Sequence, residues 1–371
     1  MSRGRWKILI GIAALIGLGI GVELTTLGDG PKKAVEAYRK FLIAKGEKLD
    51  VSELTPPPVP PEQNGADVVN EAFGLLTPED DAEPNLVPSM RMIAPGKAIV
   101  CFKQPYIRGW NFTNSWSNEM AVVEDDRPTT ELLRQAMAYP AIDFHLDYSG
   151  DRETLLRQTM ICANSLRRCA QRLSAAALCD LHRGDAGSAA TNICAMLALV
   201  NGLRDERLDV FTATRSFITL ISSTTTWEFL QSENLQDSEL ALLQTNWMRL
   251  QFIGPMENEI AMERALEEAE IRRMENSDEF FNRTVSWAKP GVDWSDGFRG
   301  GLSDIWDDAK LLGAKSMLHA MWIYSDELRM LKDQRLVLDI LRAAATNGFF
   351  YPAYGNLIIQ LKAQSEHPQD W

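Results

Sequence analysis

At 371 residues, with 45% hydrophobic and 24% charged side chains, the chain is long enough for one large or two modest globular units and is not a disordered polymer. Its formal net charge is −13; setting aside the first 27 residues leaves 35 bases against 50 acids, a body that repels phosphate backbones and excludes nucleic acid as a partner.

Five cysteines, Cys101, Cys162, Cys169, Cys179 and Cys194, form no CxxC pair, and their odd number leaves at least one unpaired. Cys162 and Cys169 share a helix face two turns apart, ~10 Å at 1.5 Å per residue, too far for a mutual disulfide. Buried free thiols are the expectation. A bridge such as Cys179 with Cys194 is the alternative in an oxidising compartment.

From the N-terminus, Arg3, Arg5 and Lys7 precede the uncharged run Ile8 to Val22, which extends to Leu27 if Glu23 sits at an interface. About 20 residues suffice for a ~30 Å hydrocarbon layer. No small-x-small site follows, so residues 8–27 read as an uncleaved single-pass anchor rather than a cleaved signal. The three bases would keep the N-terminus cytoplasmic and place the body outside the cytoplasm, as in a periplasm.

Pro31 to Lys45 predicts a short amphipathic helix with Ala34, Val35, Tyr38, Phe41 and Leu42 on one side. Thr55-Pro-Pro-Pro-Val-Pro-Pro61 cannot continue it and reads as a stiff polyproline connector. A second helix is expected over Ala66 to Leu76. Thr77 to Trp116 is irregular and proline-rich, with a short strand at Ala98 to Phe102 and with Trp110 and Trp116 suited to burial. Helices follow at Ser117–Asp125 and Pro128–Ala138, and Phe144 to Tyr148 is extended.

The stretch Leu155 to Leu203 carries the clearest periodicity. Leu156, Met160, Ala163, Leu166, Ala170, Leu173, Ala177 and Leu181, then Ala186, Ala189, Ala190, Ile193, Met196, Leu197 and Val200, recur every three or four residues. They predict two antiparallel helices turning at Arg183-Gly184-Asp185, with Gly184 left-handed and Asp185 capping the second helix. Leu208 to Gln231 is helical by its neighbours, although Ser222 to Thr226 has poor propensity. Asp237 caps a further helix and Pro255 opens another to about Asn276. Ser277 to Gly301 is a loop, and Leu302–Leu312 and Ala314–Thr346 are helical.

This order of anchor, proline run, Pro61-Glu-Gln-Asn-Gly-Ala-Asp67, Phe144-His-Leu-Asp-Tyr148-Ser-Gly150, long Leu/Arg/Ala helix, Gly184-Asp185 turn and Trp322-Ile-Tyr-Ser-Asp-Glu-Leu-Arg329 resembles a group of N-terminally membrane-anchored α-helical proteins of planctomycete-type bacteria. The resemblance spans most of residues 55–345 and implies an anchored helical body, with no activity to carry over. The hairpin itself is similar to one tetratricopeptide unit, but no 34-residue repeat of it exists.

Glu259, Glu263, Glu267 and Glu270, spaced four, four and three apart, form one carboxylate row. It reads as a solvated or arginine-paired face or, functionally, as a cation site or docking face for a basic partner. A di-metal carboxylate site would need Glu-x-x-His pairs, which the four histidines (His145, His182, His319, His367) do not supply. The Asp-rich segment from Asp293 to Asp308 fails the EF-hand pattern, because Gly297 stands at position 5 and Phe298 at position 6. No GxSxG, HExxH, phosphate loop or dinucleotide fingerprint is present, and no cofactor or metal is expected.

The expectation is therefore a mainly α protein: a transmembrane helix (1–29), a short helix and proline spacer (30–62), short helices with a long loop (63–150), and an α-hairpin, solenoid-like core (151–371). Its expected role is to bind another protein at the cell envelope, with Glu259, Glu263, Glu267, Glu270, Trp287, Trp294 and Trp306 as the candidate surface. The alternative is an anchored, hydrolase-like enzyme using dispersed carboxylates such as Glu263 and Glu267 in a tryptophan-lined cleft. A purely architectural role fits the same features.

Overall fold

The computed structural model describes residues 30–76, 91–94, 97–108, 113–150, 152–233, 235–276 and 324–347. The expected anchor at 8–27, the helix expected at Leu302–Leu312, the Asp-rich segment, and Trp110, Trp287, Trp294 and Trp306 lie outside them. The described chain is mainly helical: α1 (30–44), α2 (Val51–Leu54), α3 (Ala66–Leu75), α4 (Trp116–Asp125), α5 (Arg127–Gln135), α6 (Arg152–Arg183), α7 (Ala186–Gly202), α8 (Asp209–Phe229), α9 (Asp237–Met248), α10 (Ile253–Asn276) and α11 (Tyr324–Asn347). Two antiparallel pairs, β1 (Arg91–Ala94) with β2 (Lys97–Ile99) and β3 (Ile107–Arg108) with β4 (Thr113–Asn114), complete it. The chain divides into two compact units, Thr55–Ile260, and Met1–Leu54 with Ala261–Trp371. The division falls inside the expected 30–62 and 151–371 segments.

In the unit Thr55–Ile260, α7 is the central helix. It packs on α6, α8 and α9, and twelve of its seventeen residues are buried. Ala189, Ala190 and Ala195 let the neighbours approach, while Ile193, Met196, Leu197 and Leu199 fill the space between them. With the three residues after it, α7 is apolar enough to cross a membrane, at a mean hydropathy of 1.3, but it is 72% buried. Its apolarity belongs to the protein core.

The turn before it forms as expected. Gly184 sits at φ +83°, the Gly184 N–H donates to Leu181 O (3.0 Å), and the Asp185 N–H donates to Asp180 O (2.9 Å), a left-handed cap that satisfies the last carbonyls of α6. Asp185 Oδ1 then accepts the Ser188 N–H at 2.9 Å.

The Ser/Thr run of α8 is helical because packing buries Ser222 and Thr225, and the hydroxyls are satisfied inward. Thr214, Thr219, Ser222 and Thr225 each donate to the carbonyl four residues back at 2.7 to 2.9 Å. Thr225 also meets Ser174 on α6 at 2.7 Å. Two local expectations change. The strand expected at Ala98 to Phe102 stops at Ile99, because both Glu228 carboxylate oxygens take the Cys101 N–H at 2.9 Å and open a 3-10 turn at Cys101–Lys103. At α9 the capping residue is Gln236 rather than Asp237, and Glu239 reaches back to accept the Gln236 N–H at 2.9 Å. All five cysteines are free thiols, so Cys179 and Cys194 are not bridged.

In the other unit, α1, the C-terminal part of α10 and α11 pack around Val35, Leu42, Leu49 and Leu331. Charge is buried beside this small seam. Arg264, fully buried, donates to Glu47 Oε2 (2.8 Å) and to the Lys48 carbonyl (3.1 Å), and Arg342 also pairs with Glu47. Arg39 pairs with the buried Glu327, and its Nε lies 2.8 Å from Glu268 Oε2. That second contact is ionic, since the N–H is not aimed at the oxygen.

Candidate functional site

The run from Thr55 to Pro61 has no repeating donors to enter a ladder, because proline lacks an N–H. Pro60 takes φ −56°, ψ 140°, the polyproline geometry. The residues of the expected connector also form a wall. Pro56, Pro57, Pro58, Val59 and Pro60 line a cleft of about 340 Å³ whose remaining lining comes from Gln63, Pro140 to Asp143 and the end of α7 through Arg207. That volume lies at the small end of ligand-binding cavities.

Asn64 braces the cleft. Its Oδ1 accepts the Asp143 N–H (2.9 Å) and the Ala66 N–H (3.0 Å), and its Nδ2 donates to Asp143 O (2.8 Å). The Gly65 N–H adds a bond to Ala141 O at 2.8 Å. Val59, the one residue between Pro56 and Pro60 with an amide N–H, donates it to Asp143 Oδ2 at 3.1 Å. Gly202 is required at the α7 end, since a Cβ there would lie 2.8 Å from Ile142 Cγ1. Its carbonyl accepts the Ile142 N–H at 2.9 Å.

His145 stands at φ +52°, a left-handed conformation that strains a residue bearing a Cβ. Asp143 holds it there: Oδ1 accepts the His145 N–H (2.8 Å) and Oδ2 lies 3.2 Å from Nδ1. Asn64 Nδ2 is 3.4 Å from Nε2, so both ring nitrogens have a polar neighbour.

Glu206 follows the 3-10 turn Leu203–Asp205 and is buried at 7% exposure. Its Oε1 accepts the Phe144 N–H (3.1 Å) and its Oε2 accepts the Tyr148 hydroxyl (2.9 Å), whose oxygen in turn accepts the Arg207 N–H (3.3 Å). Phe144 is stacked between Phe73 and Phe211, with 6.0 Å to each ring, which fixes that backbone. Burial pushes the Glu206 carboxyl up to about 7, against the pull of its two hydrogen bonds. Burial, reinforced by Glu206, raises the Tyr148 phenol well above its ordinary value.

The lining thus sets the proline run beside three residues that bear carboxyl groups, Asp143, Asp205 and Glu206; Glu206 already accepts two hydrogen bonds, and Pro60 O accepts the Gln63 N–H at 2.8 Å. Arg204 and Arg207 supply donors, and Arg204 Nε already pairs with Asp205 at 3.2 Å. Both His145 nitrogens are engaged and His145 does not line the cleft, so the Asp143–His145 pair positions backbone rather than activating a nucleophile.

A second polar centre is structural. Glu228, raised to about 7 by burial, takes the Cys101 and Phe102 amides. His182 Nδ1 lies 2.7 Å from Phe102 O, and its ring stacks on buried Trp116 at 4.1 Å. Trp116 donates to Gln104 O at 2.7 Å. Together they pin residues 101–104 onto α4, α6 and α8.

The four row glutamates do not converge on one feature. Glu259 is buried near Arg215, hydrogen-bonded to Thr212, and burial raises its carboxyl. Glu263 is half-buried, Glu267 accepts from Gln334 Nε2 at 2.7 Å, and Glu270 lies 4.0 Å from Arg273. Among the described residues, no three His, Cys, Asp or Glu side chains are grouped to hold a metal. Asn64, Asp143, Tyr148 and Glu206, at or behind the cleft, were not singled out by type or spacing, although Asn64 and Tyr148 lie in the two short motifs that carried the resemblance and Asp143 directly precedes the second. No protein-family description, curated protein or solved structure matches the chain.

Proposed function

We propose that this is a membrane-tethered, extracytoplasmic helical protein that binds a segment of another protein, and that the proline-walled cleft receives a basic side chain of that segment. The supporting observation is the cleft's lining: a proline-rich wall beside Asp143, Asp205 and the buried Glu206. Its complement is a donor-rich cation, a lysine or arginine, and the chain's −13 charge favours its approach. The apolar run at 8–27 supports the tether. The antiparallel α6–α7 pair, with Ala189 and Ala190 in its seam, supports likening the hairpin to a tetratricopeptide unit.

The test uses the full chain in neutral detergent, titrated calorimetrically with the peptide acetyl-Ala-Lys-Ala-Lys-Ala-amide and with its acetyl-lysine counterpart. Binding of the first, at least about tenfold weaker for the second and for Asp143→Asn, is expected for a desolvated charge contact. Equal binding of both peptides, or of neither, refutes the reading.

A second reading, an anchored envelope enzyme, draws on Glu206 alone, a buried carboxyl in a cleft whose proton is shared with solvent near neutrality. It requires that turnover of a cell-envelope polymer be lost in Glu206→Gln. Undiminished turnover in that variant removes it.

A further inference from the structure

Over most of its length α6 is the reverse of the acidic chain around it. From Thr154 to Cys179 it holds Arg157, Arg167, Arg168 and Arg172 and no acid, in a protein of net charge −13. Arg172 pairs with Asp126. Arg167 stands differently. Its guanidinium lies 5.5 Å from the Phe217 ring centroid on α8, and among the described residues it has no ion pair, nor has its shielded Nε a hydrogen-bond acceptor.

Two contacts fix how α6 and α8 lie. Arg167 meets Phe217 and, seven to eight residues on, Ser174 meets Thr225 at 2.7 Å, so the helices run side by side in the same direction. On α6, Leu156, Met160, Arg167 and Ser174 are spaced four, seven and seven apart and share one stripe; on α8, Phe217, Ile221 and Thr225 are spaced four and four. Toward the start of α6 this stripe is uncovered, with Met160 at 45% and Leu156 at 36% exposure. Phe217 and Ile221 are half-buried, and Leu220, 64% exposed, continues the apolar surface outward from Phe217. Between Val210 and Trp227 the one charged residue of α8 is Arg215, which is buried and turned to Val200 O and Gln251 O. The crease is apolar and carries one uncompensated cation resting on an aromatic face.

We infer that the crease between α6 and α8 docks an amphipathic helical segment of another protein whose apolar stripe bears an aspartate or glutamate on its flank. Leu156 to Arg167 spans ~16 Å along the axis, three turns of such a helix. Its apolar side chains ride over Leu156, Met160, Phe217 and Leu220, and its carboxylate meets the outer edge of the Arg167 guanidinium. A basic segment would face Arg157, Arg167 and Arg168, and a neutral one would cover Arg167 without giving it an acceptor. The crease shares no lining residue with the proline-walled cleft, and neither surface requires the other.

The test titrates the full chain in neutral detergent calorimetrically, with empty micelles as the background. The probes are the amphipathic peptide acetyl-Gln-Leu-Ala-Gln-Leu-Leu-Ala-Gln-Leu-Asp-Gln-Leu-amide and its counterpart with Asn in place of Asp. The Asp peptide should bind at least about tenfold more tightly than the Asn peptide. That preference should vanish in Arg167→Gln and persist in Arg167→Lys, with circular dichroism reporting whether each variant folds. Met160→Ser/Leu220→Ser should weaken both peptides alike, and Asp143→Asn, at the cleft, should change neither.

Equal binding of the two peptides, binding no greater than to empty micelles, or a preference that survives in folded Arg167→Gln overturns the inference. Weakening of the Asp peptide by Asp143→Asn would place it at the cleft and overturns it as well. The comparison of the two peptides on the parent chain decides the matter whether or not Arg167→Gln folds.

Discussion

Replacing Glu206 with Gln isolates the cost of holding a carboxyl in the cleft. The folded-state value of about 7 lies above the ordinary 4.5, so between those pH values the folded protein binds more protons than the unfolded chain. Stability carried by that proton is full below about pH 4.5 and is lost as pH rises toward 7. At 1.36 kcal/mol per unit, the loss at pH 8 is about 3 kcal/mol. A glutamine escapes this charge penalty, but its amide turns a donor toward either the Phe144 N–H or the Tyr148 hydroxyl, forfeiting about 1 kcal/mol. The variant should therefore be more stable than the parent by about 2 kcal/mol at pH 8, and equal or about 1 kcal/mol less stable near pH 4. Glu228, also raised to about 7, and Asp180, raised to about 6, add slopes of the same sign, so Glu206→Gln should remove about a third of the pH dependence that these three carboxyls carry. Urea unfolding of the full chain in neutral detergent, followed by tryptophan emission at several pH values, measures both numbers. A stability difference that stays constant from pH 4 to 8 would refute the reasoning, because it would mean that Glu206 is ionised and solvated in the folded protein.

Gly202→Ala gains helix propensity but drives its Cβ to 2.8 Å from Ile142, so a net loss of about 1–3 kcal/mol is expected in the same assay, partly relieved by adding Ile142→Val. Asn192 is fully buried and bridges Arg134 Nε and Asp180 Oδ2, at 2.9 Å each. Asn192→Ala removes that bridge while Arg134 keeps Glu131 and Asp180 keeps Arg183, a loss of about 1–3 kcal/mol, readable as a fall in the thermal midpoint. Burial pushes the thiols of Cys101, Cys169 and Cys179 up to about 12 and that of Cys194 to about 11. In Ellman's assay at pH 8 only Cys162, the half-buried one, should react in the native protein, with all five reacting in denaturant.

What the sequence made legible followed from local rules. The α6–α7 hairpin declares itself because apolar spacing, a Gly able to turn left-handed and an Asp cap all point one way over fifty residues. The Ser222–Thr226 stretch shows where propensity misleads, since burial against Ser174 decides it while the hydroxyls bond back to carbonyls. The 101–103 turn was illegible for a different reason. It is set by Glu228, 127 residues away, and no local pattern announces that a carboxylate will arrive at Cys101. The cleft is of the same kind. Asn64 lies in Pro61–Asp67 and Asp143 just before Phe144–Tyr148, but the bonds joining them span 79 residues. The glutamate row was a local pattern that the packing divides: Glu259 belongs with Thr212 and Arg215, and Glu267 with Gln334.

Buried charge in this chain marks the joins between distant stretches of sequence. Glu47 receives Arg264 and Arg342 from 217 and 295 residues away, and Glu228 receives the Cys101 amide. Arg172 meets Asp126 at 2.8 Å, and Arg215 donates to Val200 O from within the core. Among the described residues, the buried apolar cluster around α1 holds Val35, Leu42, Leu49 and Leu331, with Tyr38, Tyr324, Leu328 and Met330 packed against it. Aliphatic ridges alone accept several registers at similar cost, because one packs much like another. A register shifted by one turn would bury Arg264 or Glu228 without its partner, at several kcal/mol each, whereas the observed one gives each a partner. The ionic contacts thus add little net stability and much selectivity among packings. Glu206 follows the same logic at the cleft, with one difference: its partners are a neutral amide and a phenol, not a cation. A carboxyl buried among neutral donors meets the cost of its desolvation by holding its proton up to about pH 7 instead of by pairing with a cation.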